Sequence, residues 1–392
     1  MPDDAAPFTL SLHRSIADID AATWDGCAQP EENPFIGHAF LEALEESGAV
    51  GPRTGWLPRH AALHDGAGQL VAIAPAYVKS HSYGEYVFDH GWAEAFERAG
   101  GRYYPKLQIA VPFSPVPGPR LLIRPGSGVT VAMVGHALSE ICTALDLSSV
   151  HVTFCREAEW HALGEAGWLR RQGLQFHWHN AGYRDFEDFL ASLSSRKRKT
   201  IRRERREVLQ HGLTIETLEG ADIKERHWDA FYRFYLATVA RKWGGAYLTR
   251  RFFGALSARL DDRVVLMIAE KGGRMVAGAL NLRGRDTLFG RNWAADGDYP
   301  FLHFELCYYR AIDYAIARGL ARIEAGAQGE HKLARGYLPT PTYSAHWIAH
   351  AGLRGAVGDF LEAERLAMTA READLRSFSP FRNKAVDEET ET

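Results

Sequence analysis

Val264-Val-Leu-Met-Ile-Ala-Glu-Lys-Gly-Gly-Arg-Met-Val-Ala-Gly-Ala-Leu-Asn-Leu282 reads as an apolar strand, a Gly-Gly turn and a second apolar strand. Two glycines between apolar runs signal a hairpin, because such a turn needs a positive φ at both positions. An earlier stretch, His60-Ala-Ala-Leu-His-Asp-Gly-Ala-Gly-Gln-Leu-Val-Ala-Ile-Ala-Pro-Ala-Tyr-Val78, has the same form. Outward from each hairpin the order of elements repeats. An amphipathic helix precedes, Phe40–Glu46 in one copy and Trp228–Arg241 in the other. An aromatic strand ending in Trp-Ala follows, Glu85–Ala93 and Thr287–Ala294. A helix comes next, short at Glu94–Ala99 and long at Leu302–Arg318, and a strand closes each copy at Leu107–Val111 and Arg322–Ala325. This repetition predicts an α/β fold with mixed (α+β) sheets, in two domains related by internal duplication. The boundary falls near Asn180, giving domains 8–180 and 181–382 and a disordered acidic tail at 383–392.

A length of 392 residues agrees with two domains. A composition of 46% hydrophobic and 24% charged residues is that of a globular protein, and a net charge of −3 gives no global pull toward nucleic acid or anionic lipid. No run approaches the ~20 apolar residues of a membrane span, and Met1 to Asp20 lacks signal-peptide character, so a cytoplasmic location is expected. Cys27, Cys142, Cys155 and Cys307 have no paired spacing, which argues against a disulfide framework or a zinc ribbon. Neither a Gly-x-Ser-x-Gly elbow, a zinc helix nor a P-loop is present. His177 and His179 share a strand face, but without a third ligand at a telling spacing no metal is expected.

Chemistry concentrates after the second closing strand. There Gly326 and Gly329 frame a turn that presents Glu330, His331 and Lys332 in a row, with Arg335 and Tyr337 close behind. A carboxylate, an imidazole and an ammonium at a strand's carboxyl end suit proton transfer and anion binding. The helix that leads into this strand carries Glu305 on the apolar face of Tyr309, Ile312 and Ile316, while His303 lines up with Cys307, Arg310 and Tyr314. A carboxylate on an apolar face is either paired or has a raised pKa, so Glu305 is a candidate base or a structural ion-pair partner. In the first half, Tyr104-Pro-Lys106 and the proline-rich 111–119 suggest a rigid aromatic pocket wall, the latter equally a strand-to-strand connection.

Ser194-Ser-Arg-Lys-Arg-Lys-Thr-Ile-Arg-Arg-Glu-Arg-Arg-Glu207 packs eight basic residues into the eleven positions from 196 to 206. Apolar residues at both ends anchor the helix and leave a cationic middle. Arg196, Lys197, Arg198 and Lys199 are candidate ligands for phosphates of a coenzyme, a nucleotide-linked sugar or RNA.

Asn33–Leu41, Tyr103–Lys106, Val111–Arg120, Ser194–Lys199 and Gln328-Gly-Glu-His-Lys-Leu-Ala-Arg-Gly-Tyr337 together resemble a bacterial family of predicted N-acyltransferases labelled "peptidoglycan biosynthesis/recognition". That family is related to FemAB-type transferases and the GNAT superfamily. The resemblance implies two tandem GNAT-like acyltransferase domains and transfer of an acyl or aminoacyl group to an amine, on a small molecule, a peptide or a cell-wall precursor. FemAB-type enzymes take aminoacyl-tRNA and ordinary GNAT enzymes take acyl-CoA. The chain lacks a clear pyrophosphate loop and the long helical-hairpin insertion of some FemAB enzymes, so both donors stay open, with no cofactor tightly bound. On this reading Glu330 or Glu305 deprotonates the amine and His331 carries a second proton. Lys332, Arg335 and Arg291 bind an anionic group. Tyr337, Trp293, His303, Lys106 and Tyr104 complete the substrate contacts, and backbone amides near Val276–Leu282 stabilise the oxyanion. The alternative is a non-catalytic binding protein for a peptide, a wall precursor or RNA.

Overall fold

The computed structural model describes residues 8–241, 245–327 and 329–382. Gln328 and the acidic tail expected at 383–392 lie outside the described residues. The strands, in chain order, are β1 (Thr9–His13), β2 (Trp56–Pro58), β3 (His60–His64), β4 (Leu70–Ala74), β5 (Ala76–Lys79), β6 (Lys106–Ile109), β7 (Leu122–Ile123) and β8 (Ser149–Cys155). They continue as β9 (Leu169–His179), β10 (Thr214–Glu219), β11 (Val264–Lys271), β12 (Arg274–Arg283), β13 (Thr287–Ala295), β14 (Arg322–Glu324) and β15 (Leu338–Ile348).

Two compact units result, Met1–Gly173 with Tyr247–Arg259 and Pro341–Thr369, and Leu174–Ala246 with Leu260–Thr340 and Ala370–Thr392. In the second unit the quoted hairpin forms as expected. Lys271 pairs with Arg274 across Gly272 and Gly273, whose φ values of +58° and +73° are those of a mirror-image two-residue turn. β11 is buried along Val264–Ala269, so its side chains are apolar in succession rather than in alternation. In the first unit the β3–β4 turn is held by the Asp65 carboxylate, which accepts from the Ala67 and Gln69 amides at 2.9 Å each.

Strand pairing repeats between the units with the same directions. The second unit runs β10-β11-β12-β13-β14-β9, antiparallel throughout except for the parallel β13–β14 pair. The first runs β1-β3-β4, then β5-β6-β8-β15, antiparallel except for the parallel β6–β8 pair. Pro75 divides β4 from β5, so what is one strand in β12 becomes two strands in different sheets. Proline has no amide hydrogen to continue a ladder. The additional strands β2 and β7 pair with β5 and β4.

This pairing corrects the expected alignment of the two copies. Glu85–Asp89 is loop and His90–Arg98 is helix, so no aromatic strand spans Glu85–Ala93. Tyr86 has a φ of +60°, outside the extended region, so the chain leaves strand geometry there, and the carboxylates of Glu85 and Asp89 bond Lys106 from the loop. The counterpart of β13, its following helix and β14 is therefore β6, helix Val131–Ala144 and β8, one strand further along the chain. The closing strands are exchanged. β9, which follows β8 in the chain, completes the second unit beside β14, and β15, which follows β14, completes the first beside β8. The expected boundary near Asn180 lies beside the first crossing, at Gly173 and Leu174. The return of Pro341–Thr369 to the first unit follows from the exchange.

Candidate functional site

β13 and β14 stay paired for only three residues, Thr287–Phe289 against Arg322–Glu324, after which β14 ends and β13 runs on to Ala295. On its other edge β13 bulges. Asn281 faces Gly290 and Leu280 faces Asn292, which leaves Arg291 as the extra residue. Gly290 packs against β14 at the fork, where a Cβ would lie 3.4 Å from both the Ala325 Cα and the Glu324 carbonyl oxygen, the near limit of ordinary contact. The fork opens into a cleft of about 90 Å³, lined by Ala279–Asn281, Gly290–Trp293, His303, Cys307, Tyr308 and Ala325.

Among the described residues this lining holds no Asp or Glu. The half-buried Arg291 has no carboxylate partner among them, and Asn292 Oδ1 is buried without a hydrogen bond. His303 meets Trp293 edge-on at 5.2 Å. The Tyr308 hydroxyl lies 2.9 Å from His331 Nε2. Burial pushes the Tyr308 phenol well above its ordinary value and raises the Cys307 thiol to about 12, the latter opposed by Lys332. Burial, then Arg335 and Lys332, lower the His331 imidazole.

The helical segment behind the cleft is not uniform: Leu302–Phe304 and Arg310–Ala317 are α-helical, and Glu305–Tyr309 between them is a π turn. A π turn takes an extra residue and so shifts which side chains share a face. Cys307 and Tyr308 reach the cleft, while Glu305 is buried against the basic helix Ser195–Gln210. There it accepts from Arg205 at 3.1 and 3.0 Å and from Arg310 at 3.0 Å. Arg205 also bonds Asp313 at 2.7 Å. With two guanidinium partners Glu305 is a structural anion, and the geometry does not leave it available as a base.

Glu330 is exposed, ion-paired with Arg371, and outside the cleft lining. Arg335 is buried and fully committed. It bonds Glu204 at 2.9 Å, the Tyr309 hydroxyl at 3.0 Å and the His331 carbonyl at 2.8 Å, and its guanidinium stacks 3.4 Å from the Phe304 ring centre. It fastens the turn Glu330–Arg335 to the basic helix rather than meeting a ligand. Tyr337 is fully buried with its ring 5.3 Å from Tyr308, a second layer behind the cleft wall. Lys332 is buried, and its ammonium donates to the Gly326 carbonyl at 2.9 Å.

The first unit holds Lys106 and Tyr104. Lys106 is completely buried and bonds Ser82 at 2.8 Å, Glu85 at 2.8 Å and Asp89 at 2.5 Å. Its charge is consumed internally, so it is not an open substrate contact. The half-buried Tyr104 bonds Ser82 at 2.9 Å. On the basic helix, Arg202 and Arg203 pair with Glu187 and Glu207. Arg196, Lys197, Arg198 and Lys199 make no ion pair among the described residues, and Arg196 and Lys199 are exposed. His177 and His179 belong to no group of three candidate metal ligands among the described residues.

Of the expected residues, the cleft thus gathers Arg291, Trp293 and His303 directly, with His331 one hydrogen bond behind Tyr308. The sequence reading missed Asn292, Cys307, Tyr308 and Ala325. The His303–Cys307 spacing did place two of the lining residues on one helix face.

Solved structures share this fold at low identity. The C-terminal domain of a putative lysylphosphatidylglycerol synthetase from Agrobacterium fabrum is 10% identical with a TM-score of 0.55, covering 89% of this chain and 97% of that one. FemX is 12% identical with a TM-score of 0.50, covering 82% and 93%. A protein of unknown function from Bacteroides thetaiotaomicron, 12% identical, gives a TM-score of 0.50 over 87% and 98%. No curated protein matches significantly. The profile of the FemAB-like family, described as peptidoglycan biosynthesis/recognition, matches residues 15–383, and the chain belongs to that family.

Proposed function

We propose that the protein is an N-acyltransferase whose chemistry takes place in the cleft at the β13–β14 fork. The observation that carries this reading is the fork itself, a bulged strand parting from its parallel neighbour beside a guanidinium that has no carboxylate partner among the described residues. A bulge frees backbone amides from the ladder, and free amides can receive the oxyanion of an acyl adduct. Arg291 holds an anionic group of donor or acceptor. Tyr308, kept protonated by burial, gives its proton to the leaving oxygen or sulfur and is resupplied through His331. Holding donor and acceptor together supplies much of the rate, with effective molarities that can reach ~10⁵ M.

The cleft, about 90 Å³, admits the acyl end of a donor and leaves its carrier outside. Membership of the FemAB-like family, and the cations of the basic helix that make no ion pair among the described residues, favour aminoacyl-tRNA over acyl-CoA as that carrier. The test is to supply radiolabelled alanyl-tRNA or acetyl-CoA with a lysine-containing pentapeptide and to look for amide product. Arg291→Met should raise KM at least tenfold. Stoichiometric binding of RNA or peptide without turnover from any donor would replace this reading with a binding protein.

A further inference from the structure

Lys332 is 2% exposed, and among the described residues its ammonium bonds a neutral carbonyl, that of Gly326. Among the described residues no carboxylate lies within ion-pair reach of it. The titratable groups that face it are Cys307 of the π turn, His177 of β9 and the adjacent His331. Each is neutral near pH 7, since burial raises the thiol to about 12 and lowers the His177 imidazole to about 3.

Nearby acids are all engaged elsewhere: Glu305 by Arg205 and Arg310, Glu204 by Arg335, Glu330 by Arg371, and Glu324 by Arg322 at 3.3 Å. Burial weakens the hold of a buried amine on its proton, and it brings Lys332 down to about 8, where a fraction is uncharged near neutral pH. The amine is also next to the cleft. Gly326, which holds it, follows the lining residue Ala325, and Cys307, which faces it, is itself part of the lining. Among the described residues the cleft lining has no carboxylate that could do the same work.

We propose that Lys332 is the proton acceptor for the attacking amine. This rests on the N-acyl-transfer reading and assigns the base that reading lacks. The acceptor arrives as R–NH₃⁺ and passes one proton through water to the Lys332 amine. The freed nitrogen lone pair forms the C–N bond at the acyl carbon. Collapse of the adduct breaks the C–O or C–S bond to the carrier, and the departing oxygen or sulfur takes the second proton shed by the adduct nitrogen, leaving amide, protonated carrier and Lys332 ammonium. Lys332 then returns its proton to solvent.

The experiment compares the full-length chain with Lys332→Met and Lys332→Arg from pH 6 to 10, using alanyl-tRNA, acetyl-CoA and the pentapeptide. In the wild type kcat/KM should rise with a midpoint near pH 8. Both variants should lose roughly 10²-fold or more at pH 7.5, and the limb with it. Arginine keeps the charge and the donor to Gly326 but cannot accept a proton, so an active Lys332→Arg would overturn the proposal and assign a charge-holding role. Thermal unfolding gives a readout independent of turnover. Relative to Lys332→Met, the wild type should gain stability between pH 8 and 10, and a pH-independent difference would also overturn the assignment. If the wild type transfers nothing from either donor at any pH, the acyltransferase reading itself fails, and the proposed role of Lys332 falls with it.

Discussion

Two buried lysines occupy opposite electrostatic settings. Lys106, in the first unit, is enclosed with two carboxylates, a serine hydroxyl and the faces of Tyr103 and Tyr104. Against the pull of burial, Glu85 and Asp89 hold its ammonium above the ordinary value. Lys332, in the second unit, is equally buried but meets only a carbonyl, a thiol and imidazoles, and is lowered to about 8. Burial alone therefore does not mark a functional charge. A neutralised charge is architecture, whereas an unneutralised one beside a cleft is poised to change its protonation state. Lys79 shows that burial can outweigh a neighbouring carboxylate. It sits 3.8 Å above the Trp56 ring and 3.9 Å from Glu85, and burial lowers it to about 7.

The sharpest way to break this contrast is Lys106→Met. It strands Glu85 and Asp89 in the interior, and denaturant unfolding should register a loss of about 3–5 kcal/mol. A loss under 1 kcal/mol would mean that the cluster is not held by its charges. The second test reads Lys332 through linkage. Between a folded value near 8 and an ordinary value of 10.5 the unfolded chain binds more protons, so stability rises with pH across that window. The gain is up to about 3 kcal/mol, present in the wild type and absent in Lys332→Met.

Neutralising Arg196, Lys197, Arg198 and Lys199 to Gln should leave stability within about 0.5 kcal/mol, because none of the four is ion-paired among the described residues. The same change should flatten the salt dependence of tRNA binding by a log–log slope of roughly 3, measured by filter retention. Smallest of all is Glu330→Gln, which removes an exposed pair with Arg371. It should cost about 0–1 kcal/mol and leave kcat/KM unchanged within about twofold. A hundredfold loss would return Glu330 to the role of base.

Local signals were legible in the sequence. The Gly272-Gly273 turn, the strand after it and the helix before it all follow from neighbouring residues. So does the singling out of Gly326–Tyr337, where Lys332 and His331 lie. What the sequence hid was non-local. Glu85–Ala93 reads as an aromatic strand, yet Tyr86 takes a positive φ and a helix begins at His90, while both acids bond Lys106, about twenty positions on. A regular α-helix puts Glu305 on the face of Tyr309, and the π turn Glu305–Tyr309 breaks that periodicity. Whether a charged side chain is spent or spare depends on partners such as Arg205 and Glu305, which are 100 positions apart. No window of sequence contains that information.

The exchanged strands have a consequence for synthesis on the ribosome. β8 is buried along its whole length, yet the strand that covers one of its edges lies about 190 residues downstream, as the Phe154–Ser344 bond records. At 5–20 residues per second that edge waits roughly 10–40 s for β15 to emerge. An open apolar edge is a template for pairing with other nascent chains. Chains terminated before Leu338 therefore carry this edge permanently, and they should partition into aggregates or chaperone complexes instead of yielding an autonomous first unit.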